Sequence, residues 1–371
     1  MSIFRVELKK VVDDSYEIEV GRSLAEKLAD DLAHGLMDSR SRFALITDSR
    51  VEKLYAEPIC RRLLDLGLKG QLFSFPAGEK SKTRSTKAEL EDRMLEAGYH
   101  RDCFVLAVGG GVVSDLAGFL AGTFGRGVPF INYATTLLAA ADASVGGKTA
   151  VDTPLATNLI GLFYQPRKVY IDIDCWNTLP PREISSGLAE TVKHACLADS
   201  TFFEYLERHM AEIRAVSPDA CEYIARRNCE IKYGVVMRDE RETGLREVLN
   251  LGHTVGRAVE VLSGYRLLHG EAVSIGLAAQ TALSVRMGYI TPADAARVTS
   301  LLEQAGLPVR IPEYIDRNML VKKLYTDKKV RNGRLRFVLQ RGIGNVVEFS
   351  PGVFAAEIGE STVRDILLAM P

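Results

Sequence analysis

The sequence is short of several things, and each shortage removes a class of protein. No CxxC pair or zinc-ribbon spacing occurs among its six cysteines (Cys60, Cys103, Cys175, Cys196, Cys221, Cys229). A thioredoxin-like redox motif and a cysteine metal knuckle are therefore not expected. Thiols scattered in this way fit a reducing, cytoplasmic compartment. No stretch approaches the ~20 uncharged apolar residues that a membrane span needs. Residues 1–10 carry charge with no apolar run behind them, unlike a secretory signal. Net charge is only −1, so no basic field calls for nucleic acid. Internal repeats and low-complexity linkers are missing too.

What remains is an ordinary globular balance, 47% hydrophobic and 26% charged. The 371 residues suggest two domains and can bury a large core without covalent staples. In the first half strand and helix signals alternate. A hairpin is expected from FRVELK and YEIEV, then strands at 42–47, GQLFSF, 103–111, PFINYA and 168–174, with helices at 51–66, 82–95 and from 112. Such alternation implies a mostly parallel, wound sheet. From residue 181 the pattern changes to helices at 181–197, 200–210, 218–238, 247–263, 269–288 and 292–305. A hairpin of RLRFVLQ and GNVVEF and a last helix over 353–370 follow. The expected fold is α/β plus α. A Rossmann-like wound sheet domain spans 1–180, and a mainly helical metal- and substrate-binding domain spans 181–371.

Residues 246–260 read REVLNLGHTVGRAVE. As one helix, Arg246, Asn250, His253, Arg257 and Glu260 would share an arc of roughly 80°. Apolar residues cover the remainder, so the helix belongs inside the protein and its polar stripe faces a cavity. A surface helix with a charged face is the plainer alternative. AVGGGVVSDLAG (107–118) joins a buried strand to a helix through glycines, where a backbone can approach a pyrophosphate at a helix N-terminus. It reads GxGxxS rather than GxGxxG, and a tight structural turn competes. DASVGGKT (142–149) lacks the glycine a Walker A loop needs six residues before Lys148, so that reading is rejected. Among the six histidines, His253 lies on the stripe and His269 opens the next helix. With Glu190 on LAETVKHA they make a candidate three-ligand, open metal site. Each histidine alone is more often structural. Arg126, Lys148, Lys232, Arg246, Arg257 and Lys328 together suit a small anionic substrate rather than a polymer.

PAGEKSK, GGGVVSDLAGF, RGVPFINYATTLLAAADASVGGKTAV, NLIGLFYQP, TLPPREISSGLAETVKH, RETGLREVLNLGHT, HGEAV and DKK occur in order from about residue 48 to 329. In these motifs the chain resembles the sugar phosphate cyclases, and among them the dehydroquinate synthases. The resemblance implies an NAD- and metal-dependent cyclase, usually a cytoplasmic homodimer of the shikimate pathway to aromatic amino acids. The implied substrate is a small phosphorylated seven-carbon keto acid. Transient oxidation by NAD lets phosphate leave, and an aldol step closes the carbocycle with NAD regenerated. By the same resemblance Glu190, His253 and His269 bind the metal, zinc or else cobalt. Asp48, Glu79, Lys82, Gly110, Gly111, Asp115, Thr135, Thr136, Lys148 and Thr178 hold NAD. Asp142, Lys148, Lys232, Glu242, Arg246 and Asn250 act in catalysis, Asn158, Arg257 and Lys328 bind substrate, and Arg126 reaches the neighbouring subunit's site.

Four positions depart from the family pattern. GHTxGHA reads GHTVGRA with Arg257, GKN reads ATN with Thr157, GDLAG reads SDLAG with Ser114, and PTTLL reads ATTLL with Ala134. Arg246 and Asn250 persist, which favours a carboxylated substrate. Alternatives are a cyclase for a heptulose or hexose phosphate and a metal-dependent polyol dehydrogenase.

Overall fold

The computed structural model describes residues 11–38, 41–324 and 335–370. Its first half runs β1 (Glu17–Gly21), α1 (Leu24–Ala33), β2 (Arg42–Asp48), α2 (Glu57–Asp65), β3 (Gly70–Phe75), α3 (Arg84–Glu96), β4 (Cys103–Gly109), α4 (Gly111–Thr123), β5 (Phe130–Ala134), β6 (Lys148–Thr153), β7 (Ala156–Phe163) and β8 (Lys168–Asp172). Six of these strands form one sheet in the order β1-β8-β5-β4-β2-β3. Every pairing in it is parallel. All residues of β4, β5 and β8 are buried, as required when helices cover both faces. From β2 the chain moves outward to β3 and then returns to β4 on the other side of β2. The order therefore reverses between the carboxyl ends of β2 and β4, where wound sheets open a ligand crevice.

Two sequence expectations change in this half. β1 pairs parallel with β8, Glu17 opposite Lys168, and so belongs to the main sheet. The other half of the expected hairpin lies outside the described residues. The antiparallel β6–β7 hairpin was not expected at all. β7 alternates poorly, with exposure scattered along both of its faces, so it carries no period-2 signal. Lys148 opens β6 rather than a helix, consistent with rejecting a Walker A loop.

The second half is α5 (Pro181–Ala198), α6 (Ser200–Arg214), α7 (Pro218–Arg238), α8 (His253–Leu262), α9 (His269–Arg286), α10 (Pro292–Gln304) and α11 (Arg317–Leu324), then β9 (Arg336–Val338), β10 (Ala355–Glu357) and α12 (Glu360–Ala369). α5 is the central post, buried at every residue from 184 to 197. The expected single helix over 247–263 is broken. Residues 245–250 form a 3₁₀ turn, Gly252 is left-handed at φ 81°, and only then does α8 begin. The cause is close packing on α9: a Cβ on Gly276 would lie 1.9 Å from the Gly252 carbonyl oxygen. The chain has no room there to continue one straight helix. The expected C-terminal hairpin is also re-paired. β9 lies antiparallel to β10, while the GNVVEF segment gives only a bridge between Gln340 and Val346. The last helix starts at Glu360 because 355–357 is strand.

Candidate active site

A cavity of about 1120 Å³ opens at the sheet's switch point and runs to the first turns of α8 and α9. At the sheet end its wall includes the glycine turn after β4. Asp48 closes β2, and Gly110 and Gly111 carry β4 into α4. A Cβ on Gly109 would meet Val113 at 2.5 Å, and one on Gly110 would meet Thr136 at 3.1 Å, so side chains are excluded by close approach. No side chain caps the start of α4. Its first N–H groups thus face the cavity as a ready anion site. Thr135 Oγ1 is buried there without a partner, and Thr136 and Thr178 also line the wall. A dinucleotide's diphosphate and hydroxyls fit this donor set.

Beside it lies the fully buried Lys82. Its Nζ is 2.5 Å from Asp115, 2.6 Å from Asn158 Oδ1 and 3.6 Å from Glu79. Burial works against the ammonium, but the Asp115 and Glu79 carboxylates keep the Lys82 pKa above its ordinary value. Asn158 holds a left-handed φ of 54°, fixed by its N–H donating to Asp152 at 2.8 Å.

The helical end is built from side chains. Glu190 on α5 is completely buried; its Oε2 is paired with the Lys193 ammonium, and its Oε1 has no formed hydrogen bond. Its Oε1 lies 3.5 Å from His253 Nε2 and 3.7 Å from His269 Nε2. The opposite ring nitrogens are anchored. His253 Nδ1 is 3.1 Å from the Leu251 carbonyl, and His269 Nδ1 is 3.3 Å from Glu260. With Nδ1 engaged in this way, the Nε2 atom of each ring faces Glu190. A buried carboxylate oxygen facing two imidazole nitrogens is the donor set of a divalent metal, with outer partners of the usual kind. Burial disfavours the Glu190 carboxylate, yet the Lys193 ammonium and the His253 ring hold its pKa below the ordinary value. Burial opposes charge on His269 too, but Glu260 and Glu190 push it up to about 10.

Cations surround this cluster. Lys232 donates to Asp142 Oδ1 at 2.6 Å and to the Asp142 carbonyl. Lys148 donates to Glu242 at 2.5 Å, and Asn250 donates to the other Glu242 oxygen at 2.6 Å. Glu242 is itself left-handed at φ 59°; such backbone strain gathers at functional sites. Arg246, 1% exposed, donates to the carbonyls of Gly146 and Glu240. Arg257 is half-buried on the cavity wall, one turn beyond His253, where its charge is felt by Glu260.

The broken helix therefore leaves the polar stripe intact in effect: Arg246, Asn250, His253, Arg257 and Glu260 all line one cavity. Arg126 does not. It is exposed in a left-handed turn after α4, with φ 71°. Lys328 lies outside the described residues. Lys193 was missed by sequence reasoning. It is 1% exposed, paired with Glu190 and lines the cavity. Its signal was the i,i+3 acid–base pair that it makes with Glu190 on α5.

A wound sheet with an open helix N-terminus, facing a buried acid and two imidazoles on separate helices, is the architecture of the sugar phosphate cyclases. ValA, the 2-epi-5-epi-valiolone synthase of Streptomyces hygroscopicus subsp. jinggangensis 5008, solved with NAD+ and Zn2+ bound, superposes with a TM-score of 0.87 at 29% identity, covering 98% of both chains. A 2-deoxy-scyllo-inosose synthase complexed with carbaglucose-6-phosphate, NAD+ and Co2+ superposes with the same score at 25% identity, covering 95% of this chain and 96% of that one. Residues 72–186 match the model of the 3-dehydroquinate synthase N-terminal family and residues 187–330 that of the C-terminal family. The 3-dehydroquinate synthase of Pelobacter propionicus is 45% identical over 349 residues, 94% of this chain and 95% of that one. The chain belongs to the 3-dehydroquinate synthase family.

Proposed function

We propose that the chain makes 3-dehydroquinate, acting as a carbon–oxygen lyase on a phosphorylated seven-carbon keto acid and closing the carbocycle. The observation that carries this reading is the set of cations lining the cavity with Glu190, His253 and His269: Lys193, Lys232 and Arg246, which are buried, and Lys148, which is exposed. A substrate bearing both phosphate and carboxylate matches that set, since Lys and Arg bind those groups by charge-assisted hydrogen bonds.

Glu190, His253 and His269 would hold the metal, zinc or cobalt as in the two solved relatives. Asp48, Glu79, Lys82, Gly110, Gly111, Asp115, Thr135, Thr136 and Thr178 would hold NAD, with Lys148 reaching both ligands. Bound there, NAD supplies a reversible hydride acceptor and the metal a Lewis acid. The protein's own part is orientation and charge. Asp142 fixes Lys232, and Lys148 with Asn250 fixes the Glu242 carboxylate, so each group is set before substrate arrives. Arg246 and Asn250 face the carboxylate end, and Arg257 takes the binding role of the histidine common in relatives. A guanidinium stays charged and moves protons poorly, so Arg257 binds and does not shuttle.

The division near residue 180 separates the nucleotide-binding part from the metal- and substrate-binding part. A homodimer is supported by exposed Leu155, Leu159 and Leu162 on the β6–β7 hairpin and by Arg126, which is exposed and does not line its own chain's cavity. Six free thiols support a reducing, cytoplasmic location, and no described helix is long and apolar enough to cross a membrane. Thr157 and Arg257 favour a second reading, a cyclase for a heptulose or hexose phosphate. Offering the purified enzyme the carboxylated heptulosonate phosphate and the non-carboxylated heptulose phosphate separates the two. Phosphate release from the first is expected. Release from the second alone overturns the proposal.

A further inference from the structure

We propose that Tyr16, in the segment ahead of β1, is a positioning residue for substrate binding that acts through Gly146 on Arg246. This rests on the reading of Arg246 as a substrate cation. The Gly146 N–H donates to the Tyr16 hydroxyl at 2.9 Å, across 130 positions of sequence. On its other side the Gly146 carbonyl accepts from Arg246 Nη2, also at 2.9 Å. One residue thus couples a phenol near the chain's start to a guanidinium on the cavity wall.

The coupling is tight for steric reasons. Gly146 is buried and left-handed, with φ 93°. A Cβ there would lie 2.5 Å from Arg246 Nη2, so the guanidinium rests directly on the turn. Arg246 packs its charge over the Phe163 ring, 5.7 Å from the centroid. Its Nε is buried with no hydrogen-bond partner. Arg246 nevertheless lines the cavity, so its guanidinium is a charged donor for an anionic group of the ligand. The direction of that donor depends on where the Gly146 carbonyl stands, and the Tyr16 hydroxyl fixes the turn from behind. Burial pushes the Tyr16 phenol above its ordinary pKa, so it remains a neutral acceptor. The ring itself packs against the main core, which makes it a firm support.

The test is a double-mutant cycle on the full-length enzyme with NAD and metal supplied, using Tyr16→Phe, Arg246→Lys and the pair. Phe keeps the ring and its packing and removes only the acceptor. With the turn released, Arg246 is no longer held in place, and KM for the phosphorylated substrate should rise roughly tenfold, the scale of a misplaced binding charge. kcat should stay within about twofold and KM for NAD should not move, the pattern of lost uniform binding. In the double mutant the Tyr16 effect should vanish, because Lys cannot use the Gly146 carbonyl in the same fork. The inference is overturned if Tyr16→Phe leaves substrate KM unchanged, raises KM for NAD equally, or multiplies fully with Arg246→Lys. If Arg246→Lys itself leaves substrate KM unchanged, the substrate-cation reading fails first, and this inference with it.

Discussion

The two ends of the cavity are built by different means. At the sheet end, position is set by backbone: strand ends at a reversal of order, glycines that exclude side chains, and an uncapped helix start. At the helical end, position is set by side chains from separate helices. Glu190, His253 and His269 meet only once α5, α8 and α9 have packed. Buried charge occurs at both ends, as the Lys82–Asp115 pair at the sheet end shows. The helical end gathers carboxylates and ammonium groups that would be costly if unpaired, and pairs nearly all of them. A backbone-built cradle tolerates changes in its side chains and fails when a methyl is added. A side-chain-built centre fails when one atom group is removed.

The largest effect should follow from emptying the helical end. Replacing Glu190, His253 or His269 by Ala should leave the fold intact, judged by circular dichroism, and remove tightly bound metal. Activity should fall by roughly three orders of magnitude or more, given the several kcal/mol a catalytic metal contributes. Unchanged metal content in all three variants removes this site from the account.

Arg257→Ala comes next. Stripping a cation from an ion pair with substrate should cost ~2–5 kcal/mol of transition-state stabilisation. A change in kcat/KM under about threefold, below the usual span of a real contact, would place this residue outside the site.

The sheet end should respond to addition instead of removal. Gly110→Ala is compatible with the backbone, whose φ there is −85°, but its methyl would stand 3.1 Å from Thr136. Affinity for NAD should drop about tenfold, or ~1.4 kcal/mol, with metal content unaffected. Normal NAD binding in this variant would remove the distinction drawn between the two ends.

The smallest effect concerns the loop that presents Glu242 and Arg246. Asp239 accepts N–H bonds from Thr243, Gly244 and Arg246, and the Thr243 hydroxyl. Despite burial, those donors lower its pKa from 3.8 to about 2. A depressed carboxylate pKa means stability that is present above the unfolded value and lost as pH falls through the folded one. Asp239→Asn should therefore unfold at lower temperature than the parent at neutral pH, and the gap should narrow as pH drops from about 4 toward 2. A gap that is constant with pH assigns the effect to something other than this ionisation.

Sequence legibility follows the same divide. The wound sheet was readable because βα alternation and a glycine turn after a buried strand are local signals. The polar stripe was readable as cavity-lining because charged residues do not sit in an apolar segment without cause. Its geometry was not readable. The break at Gly252 comes from contact with Gly276, a neighbour only in three dimensions. Lys193 was passed over because an i,i+3 pair looks like surface decoration until the whole of α5 proves buried. β7 left no period because neither of its faces is consistently covered.

The central claim is that one cavity couples a nucleotide cradle to a metal centre so that a hydride is taken and given back. Phosphate release and absorbance of reduced nicotinamide, followed together in one reaction with limiting NAD, test it directly. The account predicts many phosphates released per NAD with no steady build-up of NADH. NADH rising one-for-one with substrate consumed would contradict it and make the protein a dehydrogenase on the same scaffold.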